Sequence, residues 1–208
     1  MNFRYVIVVF MLGSMLFVQA CARKVKPEET CNFVQNSVKQ RISWGERTPV
    51  KLMIHKSVPD EHIPVIRESV AAWNDLIGRE VLTIHMEGVG GDASPTKDGY
   101  SIIYLLDTWD EGKSREQART SVYWKGSQII EADIRLNSVN FEFSTSNDLV
   151  ELGRVDLFSL MVHELGHVLG LSHIEEKGSV MRSELAKGQM RRTLIAGGDD
   201  DESIRCEY

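Results

Sequence analysis

Positive charge is in short supply: 24 Lys and Arg stand against 30 Asp and Glu, a net charge of −6. That argues against a general nucleic-acid binder, which usually carries a basic patch. No internal repeat and no low-complexity tract is visible, and the composition is neither that of a disordered chain nor that of a collagen. Only one apolar run is long enough to notice, residues 5–18, and no later stretch approaches membrane-spanning length. The remainder is therefore expected to be soluble or merely anchored. Histidine is absent from the whole middle of the chain: there are six, and none lies between His85 and His163. Cysteine is scarce and odd in number. Three are present, so one is left over from any pairing scheme. What remains is a chain of 208 residues, 42% hydrophobic. That is one-domain size, able to bury a core without relying on disulfides.

Residues 1–20 contain one positive charge, Arg4, and no acid. Fourteen almost wholly apolar residues, 5–18, are too few for a comfortable bilayer span and suit the core of a signal peptide. The segment ends Val18-Gln19-Ala20-Cys21, which resembles a bacterial lipobox, in which Cys21 is lipidated and becomes the new N-terminus. Ordinary signal-peptidase cleavage is the alternative, because Val18 and Ala20 also fit a small-x-small site. Either route exports the protein, to a bacterial cell envelope if lipid-anchored or otherwise to the outside. Membrane contact is expected only through an anchor at Cys21.

Residues 21–48 read as a polar tether and lead-in, and residues 49–208 as one catalytic domain. Strands are expected over 50–55, 81–86, 100–106, 121–125 and 129–136. A helix is expected up to Gly78, with Asp60 near its cap and Pro64 in its first turn. Its apolar residues Val65, Ile66, Val70, Trp73, Leu76 and Ile77 recur at helical spacing. Residues 88–99 and 107–120 read as loops, and 137–148 as irregular. A second helix is expected over 155–169. Asp199, Asp200 and Asp201 precede a short closing helix from about Glu202, where acids suit a helix N-terminus; calcium binding is the other reading of this trio. The order of elements gives an α+β fold.

The chemistry is concentrated in His163-Glu164-Leu165-Gly166-His167-Val168-Leu169-Gly170-Leu171-Ser172-His173. His163 and His167 are four apart on the expected helix, so both imidazoles project from one face. Two neutral imidazoles at that spacing can share one zinc ion. Glu164 is superfluous to a structural site and suits a general base acting on water. Gly170 stands where the helix must stop and the chain turn back, which lets His173 reach the metal as third ligand. Three protein ligands leave the fourth position of a catalytic zinc open. A chance match of these five positions in a chain this long is on the order of 1 in 10⁵.

This stretch resembles the metzincin zinc peptidases, whose motif His-Glu-x-x-His-x-x-Gly-x-x-His is matched at every fixed position. Met181, eight residues after His173 in Ser179-Val180-Met181, is similar to the methionine turn of that family. The wording of the motif and the short gap to the methionine bring the chain nearest to the matrixins, over about residues 50–208. The resemblance implies a metzincin-like α+β catalytic domain. Its parts would be a mixed twisted sheet, a long helix in the N-terminal half, a zinc-binding active-site helix and a short C-terminal helix. It also implies one catalytic Zn²⁺ and a protein or peptide substrate lying along the edge strand near residues 121–125. A monomer without nucleic-acid partners is expected. Three departures stand out. No cysteine-switch motif is recognisable ahead of the domain and no haemopexin-like part after it, so activation by that route is not expected. The histidine-poor middle leaves nothing to bind the second, structural zinc of the vertebrate enzymes, and their calcium loops are not recognisable. Arg182 and Ser183 follow the methionine where those enzymes often have Tyr-Pro, which leaves the specificity pocket open; Val162 and the segment after Met181 are candidates to line it.

The other candidates are weaker. Trp124 could touch substrate or simply pack across strands. His55, His62 and His85 have no motif around them. Lys187, Arg191 and Arg192 read as solvated loop charges that could flank the cleft. With Cys21 assigned to export, Cys31 and Cys206 remain, near opposite ends of the mature chain in an oxidising compartment. A disulfide between them is expected; the rival is Cys31 as an inhibitory zinc ligand. The leading function is a zinc-dependent endopeptidase. The alternative is a catalytically silent or single-partner binding module on the cell envelope, although Glu164 and all three histidines are retained. An aminopeptidase is a third possibility.

Overall fold

The computed structural model describes residues 29–208. The expected signal peptide, residues 1–20, and the expected lipidation site Cys21 lie outside them. In chain order the elements are β1 (Val50–His55), α1 (Ile63–Ile77) after a 3-10 turn (Asp60–His62), β2 (Leu82–Val89) and β3 (Ser101–Leu106). There follow β4 (Ala118–Lys125), β5 (Gln128–Asn137), β6 (Phe143–Ser144), β7 (Val155–Asp156), α2 (Leu157–Val168) and α3 (Asp199–Ile204). Five strands form one mixed sheet in the order β2-β1-β3-β5-β4. Its inner pairs are parallel, and β4 runs antiparallel to β5 as an edge strand. The fold is α+β, as expected, with both longer helices packed against one another and the sheet.

Apolar periodicity explains the core. On α1 the residues Val65, Ile66, Val70, Trp73 and Ile77 are buried, one stripe of a 3.6-residue helix. Gly78 ends that helix at φ +82°, and its N–H reaches the Asn74 carbonyl at 2.8 Å. The Asn74 side chain then holds the start of β2, accepting from the N–H groups of Val81 and Leu82 and donating to the Leu82 carbonyl. Trp73 is fully buried, and its indole N–H donates to the Val162 carbonyl of α2 at 2.9 Å. Along β5, Ala132, Ile134 and Leu136 enter this core by two-residue alternation. The intervening Glu131 and Asp133 are nevertheless buried too. Glu131 accepts from the backbone N–H groups of Asp98 and Gly99, and Asp133 from that of Ile102, so one acid ties the loop before β3 to β5 and the other ties the start of β3 itself. Burial pushes the Asp133 carboxyl up to about 7, against the pull of the Ile102 N–H.

Several boundaries differ from the sequence reading. Residues 155 and 156 are not the start of the second helix. They pair in parallel with Phe143 and Ser144, so the stretch read as irregular contains a strand. β4 starts at Ala118 rather than 121, because residues 118–120 continue the ladder opposite 134–136. The closing helix begins at Asp199, which places the three aspartates inside its first turn rather than before it.

The two ends of the described chain meet. Cys31 and Cys206 form a disulfide across 175 residues, with their Cα atoms 6.3 Å apart. Cys31 is therefore engaged as a staple and not as a zinc ligand. Phe33, Ile42 and Trp44 enter the same core as the helices. The Trp44 indole donates to the Val168 carbonyl at 2.8 Å, and the Tyr208 hydroxyl to the Leu169 carbonyl at 2.8 Å. Glu207 accepts from Ser43 and Arg41. The N-terminal segment and the C-terminus thus clasp the end of α2 together. In the chain-entropy picture a loop this long is worth up to about 5 kcal/mol. The Cys31→Ser, Cys206→Ser double variant is expected to keep the fold but melt at lower temperature. Equal thermal unfolding curves for the variant and the parent would remove the staple role.

Candidate metal centre and cleft

The helix that carries the motif is fixed at its first turn. Asp156 is its N-cap: the side chain accepts from the Ser159 N–H at 3.0 Å and from the Ser159 hydroxyl at 2.5 Å. Asp156 is completely buried and forms an ion pair with Arg192, whose guanidinium also donates to the Ser146 and Asn147 carbonyls. Arg192 is thus a structural partner of the helix cap rather than a solvated loop charge. A buried pair of this kind is costly to break from one side.

The other end of α2 turns sharply. The Leu171 N–H returns to the Gly166 carbonyl, and the Gly170 N–H to the His167 carbonyl, both at 3.0 Å. This is a Schellman closure with Gly170 in the position that favours a left-handed residue. Two constraints select glycine there. Its φ is +102°, and a Cβ would come within 2.5 Å of the Ile42 carbonyl oxygen. The turn reverses the chain directly after the second histidine and carries His173 back over the helix.

The three imidazoles converge. The Nε2 atom of His167 lies 3.1 Å from that of His163 and 3.3 Å from that of His173. One ligand atom from each residue falls within 4.8 Å of the others. On His163, Nδ1 meets the Val180 carbonyl at 2.9 Å; on His167, Nδ1 meets the Leu171 carbonyl at 2.8 Å. A carbonyl can only accept, so both Nδ1 atoms carry the proton and both Nε2 lone pairs face the cluster. Electrostatics favours the same state. Burial, then the neighbouring His167, push the His163 imidazole down to about 3. Burial and His167 also lower His173. Neutral imidazole is the form that binds a metal, and three such donors suit a zinc ion with an open fourth position.

Glu164 sits beside this cluster, only 5% exposed. The Thr120 hydroxyl of β4 donates to its Oε2 at 2.5 Å. Burial raises the pKa of the Glu164 carboxyl, while His167 and the Thr120 bond draw it back. Thr120 has no signature in the sequence, and its position was read as loop. Only the pairing of β4 with β5 brings it to the helix.

Beneath the histidines, Met181 is fully buried. Gly166, between the two helix histidines, lies directly against it: a Cβ at Gly166 would run into the Met181 sulfur. The turn that presents Met181 is tied from α3. The Asp200 carboxylate accepts from the Ser179 hydroxyl at 2.5 Å and the Val180 N–H at 2.9 Å. Its neighbour Asp201 accepts from the Gly197 N–H and pairs with Arg205. Asp200 therefore holds the loop whose Val180 carbonyl orients His163, a role beyond charging a helix end. Burial raises its pKa and these bonds oppose the rise.

A cavity of about 690 Å³ opens in front of the histidines, bounded by the start of β4, by α2 and by the chain after Met181. Leu160, Arg182 and Arg191 line it. Val162, a candidate for this lining, is fully buried in the core instead. Trp124 is 45% exposed and lines a smaller hollow of about 220 Å³ on the other side of His167. His55 and His62 are buried away from the cluster and His85 is exposed. Lys187 lies over the Phe141 ring.

The match to known proteins is of one kind. No curated protein is significantly similar to the chain. Residues 97–208, just over half of its length, match the peptidase family M10, Matrixin. That segment runs from β3 to the C-terminus and holds the three histidines, Glu164, Met181 and Asp200. With the α+β sheet, the Schellman turn and the convergent imidazoles already in place, the chain belongs to the matrixin family of zinc metallopeptidases.

Proposed function

We propose that this protein is an exported zinc-dependent endopeptidase in which Glu164 is the general base and His163, His167 and His173 hold the metal. The observation that carries the reading is a buried carboxylate, fixed by Thr120, beside three convergent imidazoles at the mouth of a cavity. Zinc held there supplies a Lewis acid and lowers the pKa of water. Glu164 takes the proton of the attacking water at its Oε atoms and returns it to the leaving amine. Its raised pKa makes it a stronger base than an ordinary carboxylate. The Val180 and Leu171 carbonyls keep the ligand imidazoles in one tautomer throughout. An extended peptide adds along the edge strand β4, using the backbone groups that no neighbouring strand takes. Thr120 on that strand then connects the substrate platform to the base.

The signal-peptide pattern of residues 1–20 and the disulfide both support an oxidising, extracytoplasmic location. We assign Cys21 as a lipid-anchor site on a bacterial envelope. Cys21→Ser is expected to move the protein from the membrane fraction to the soluble exported fraction; an unchanged distribution would rule the anchor out.

Two activity tests follow. The purified protein should cut members of a mixed peptide library, stop with a chelator and recover with zinc. Glu164→Gln should retain zinc and lose about 10²-fold or more in kcat/KM. A parent protein that binds zinc and cuts nothing in a broad library would sink the endopeptidase reading. The pH profile tests the base. Activity requires the carboxylate form, so it rises with pH through the Glu164 pKa. The Thr120 bond stabilises that form, and Thr120→Val is therefore expected to move the acid limb to higher pH. An unmoved limb would mean that Glu164 is not the group titrating.

A further inference from the structure

We propose that Arg182 and Arg191 form a carboxylate-recognition subsite, so that the cleft selects an acidic group close to the scissile bond. This deepens the peptidase reading and rests on it. Both arginines line the same cavity as His163, Glu164, His167 and His173. A substrate carbonyl presented at the histidines therefore has its near neighbours within reach of the two guanidiniums.

The charge balance of the cavity points to a missing anion. Arg115 and Arg119 also line it: Arg115 is exposed to solvent, and the charge of Arg119 is matched by Glu116 and Asp110. Arg192, next in sequence to Arg191, is matched by Asp156. Among the described residues neither Arg182 nor Arg191 has a carboxylate oxygen within 4 Å. Of the acids lining the cleft, Glu116 is held by Arg119 and Lys113, and Glu164 by Thr120. Glu184, the remaining one, is exposed and forms no ion pair.

The two arginines are also prepared for a ligand. Arg191 is fixed by its own chain: its guanidinium donates to the Glu184 carbonyl at 2.8 Å and more weakly to the Arg182 carbonyl at 3.4 Å. Its backbone N–H donates to the Ser159 hydroxyl at 2.7 Å. Neutral carbonyls position the group without neutralising it. Among the described residues the Arg182 side chain makes no hydrogen bond, and its Nε is buried without a partner. Two neighbouring guanidiniums that line a cavity and lack a carboxylate partner are a place where an incoming carboxylate gains charge-assisted bonds. Burial and the charge of Arg182 work against the charged form of Arg191, and the more distant Asp200 and Glu175 only partly offset them. An incoming anion relieves both.

A carboxylate can come from an Asp or Glu side chain or from the C-terminus of the substrate. The test uses zinc-loaded enzyme and a peptide library in which the residues flanking the cleavage point are varied, with amidated C-termini in one arm and free C-termini in the other. In the amidated arm, kcat/KM for Asp or Glu is expected to exceed that for Asn or Gln at the selected position by about tenfold or more. Preference seen only with free C-termini assigns the subsite to the terminal carboxylate. Arg182→Gln should abolish most of the preference, read within that variant as the ratio of kcat/KM for Glu to that for Gln, and Arg182→Glu should turn it toward Lys and Arg. Arg191→Lys keeps the charge and should retain part of it. The same peptides are also titrated by equilibrium binding to zinc-loaded Glu164→Gln, which reads the subsite without hydrolysis. Acid-selective binding with no hydrolysis by the parent would uphold the subsite and sink the peptidase reading. Cleavage or binding that treats Asp as Asn and Glu as Gln in both arms would overturn the subsite and leave the peptidase reading standing.

Discussion

Three imidazole nitrogens must be brought within a few ångströms of one another without any of them carrying a proton at that face. Much of the molecule serves that constraint. Two of the histidines come from one helix face, which the four-residue spacing secures cheaply. The third is only six residues further on, so the helix has to end and reverse within a single turn. Gly170 makes this possible, and the Ile42 carbonyl packed where its Cβ would be makes glycine the only fitting residue. The same reversal frees the Leu171 carbonyl to hold His167. Chain reversal, third ligand and tautomer control are therefore a single local arrangement.

What keeps that arrangement in place comes from far away in sequence. Trp44, Tyr208 and the disulfide close on the end of α2 from both termini. Asp200 on α3 holds the Ser179–Val180 turn, which supplies the carbonyl for His163 and the sulfur packed against Gly166. Asp156 and Arg192 hold the helix start. Asp156, Asp200 and the Trp44 indole are buried polar groups with partners in place. Such groups fix geometry because leaving one unpaired is expensive. The cleft, by contrast, is where polar groups are left unmatched, and there Arg182 and Arg191 set the electrostatic character of what enters.

The sequence made the element types legible where periodicity was strong. The apolar stripe of α1 and the short apolar strands were readable because burial of one face repeats with the backbone period. Boundaries were less so. Residues 155 and 156 look helical in isolation, yet they pair with 143 and 144, a contact invisible to local pattern. Asp200 read as a charge for the helix terminus, because the partner it serves is twenty residues away. Arg192 read as solvated because nothing local reveals that Asp156 is its neighbour.

His163, Glu164, His167, Gly170, His173 and Met181 were named from the sequence alone, Met181 through the resemblance to the metzincins and the others because ligand spacing on a helix and a glycine turn are local geometry. The same holds for the pairing of Cys31 with Cys206, once Cys21 is set aside for export. Thr120 against Glu164, Asp200 beneath the methionine turn and the unpaired arginines of the cleft were decided only by the tertiary structure. Those roles depend on which strand, helix and loop meet, and on which charges are left without partners when they do. Local sequence encodes neither, because side-chain pairing over tens of residues is settled by how the whole core packs.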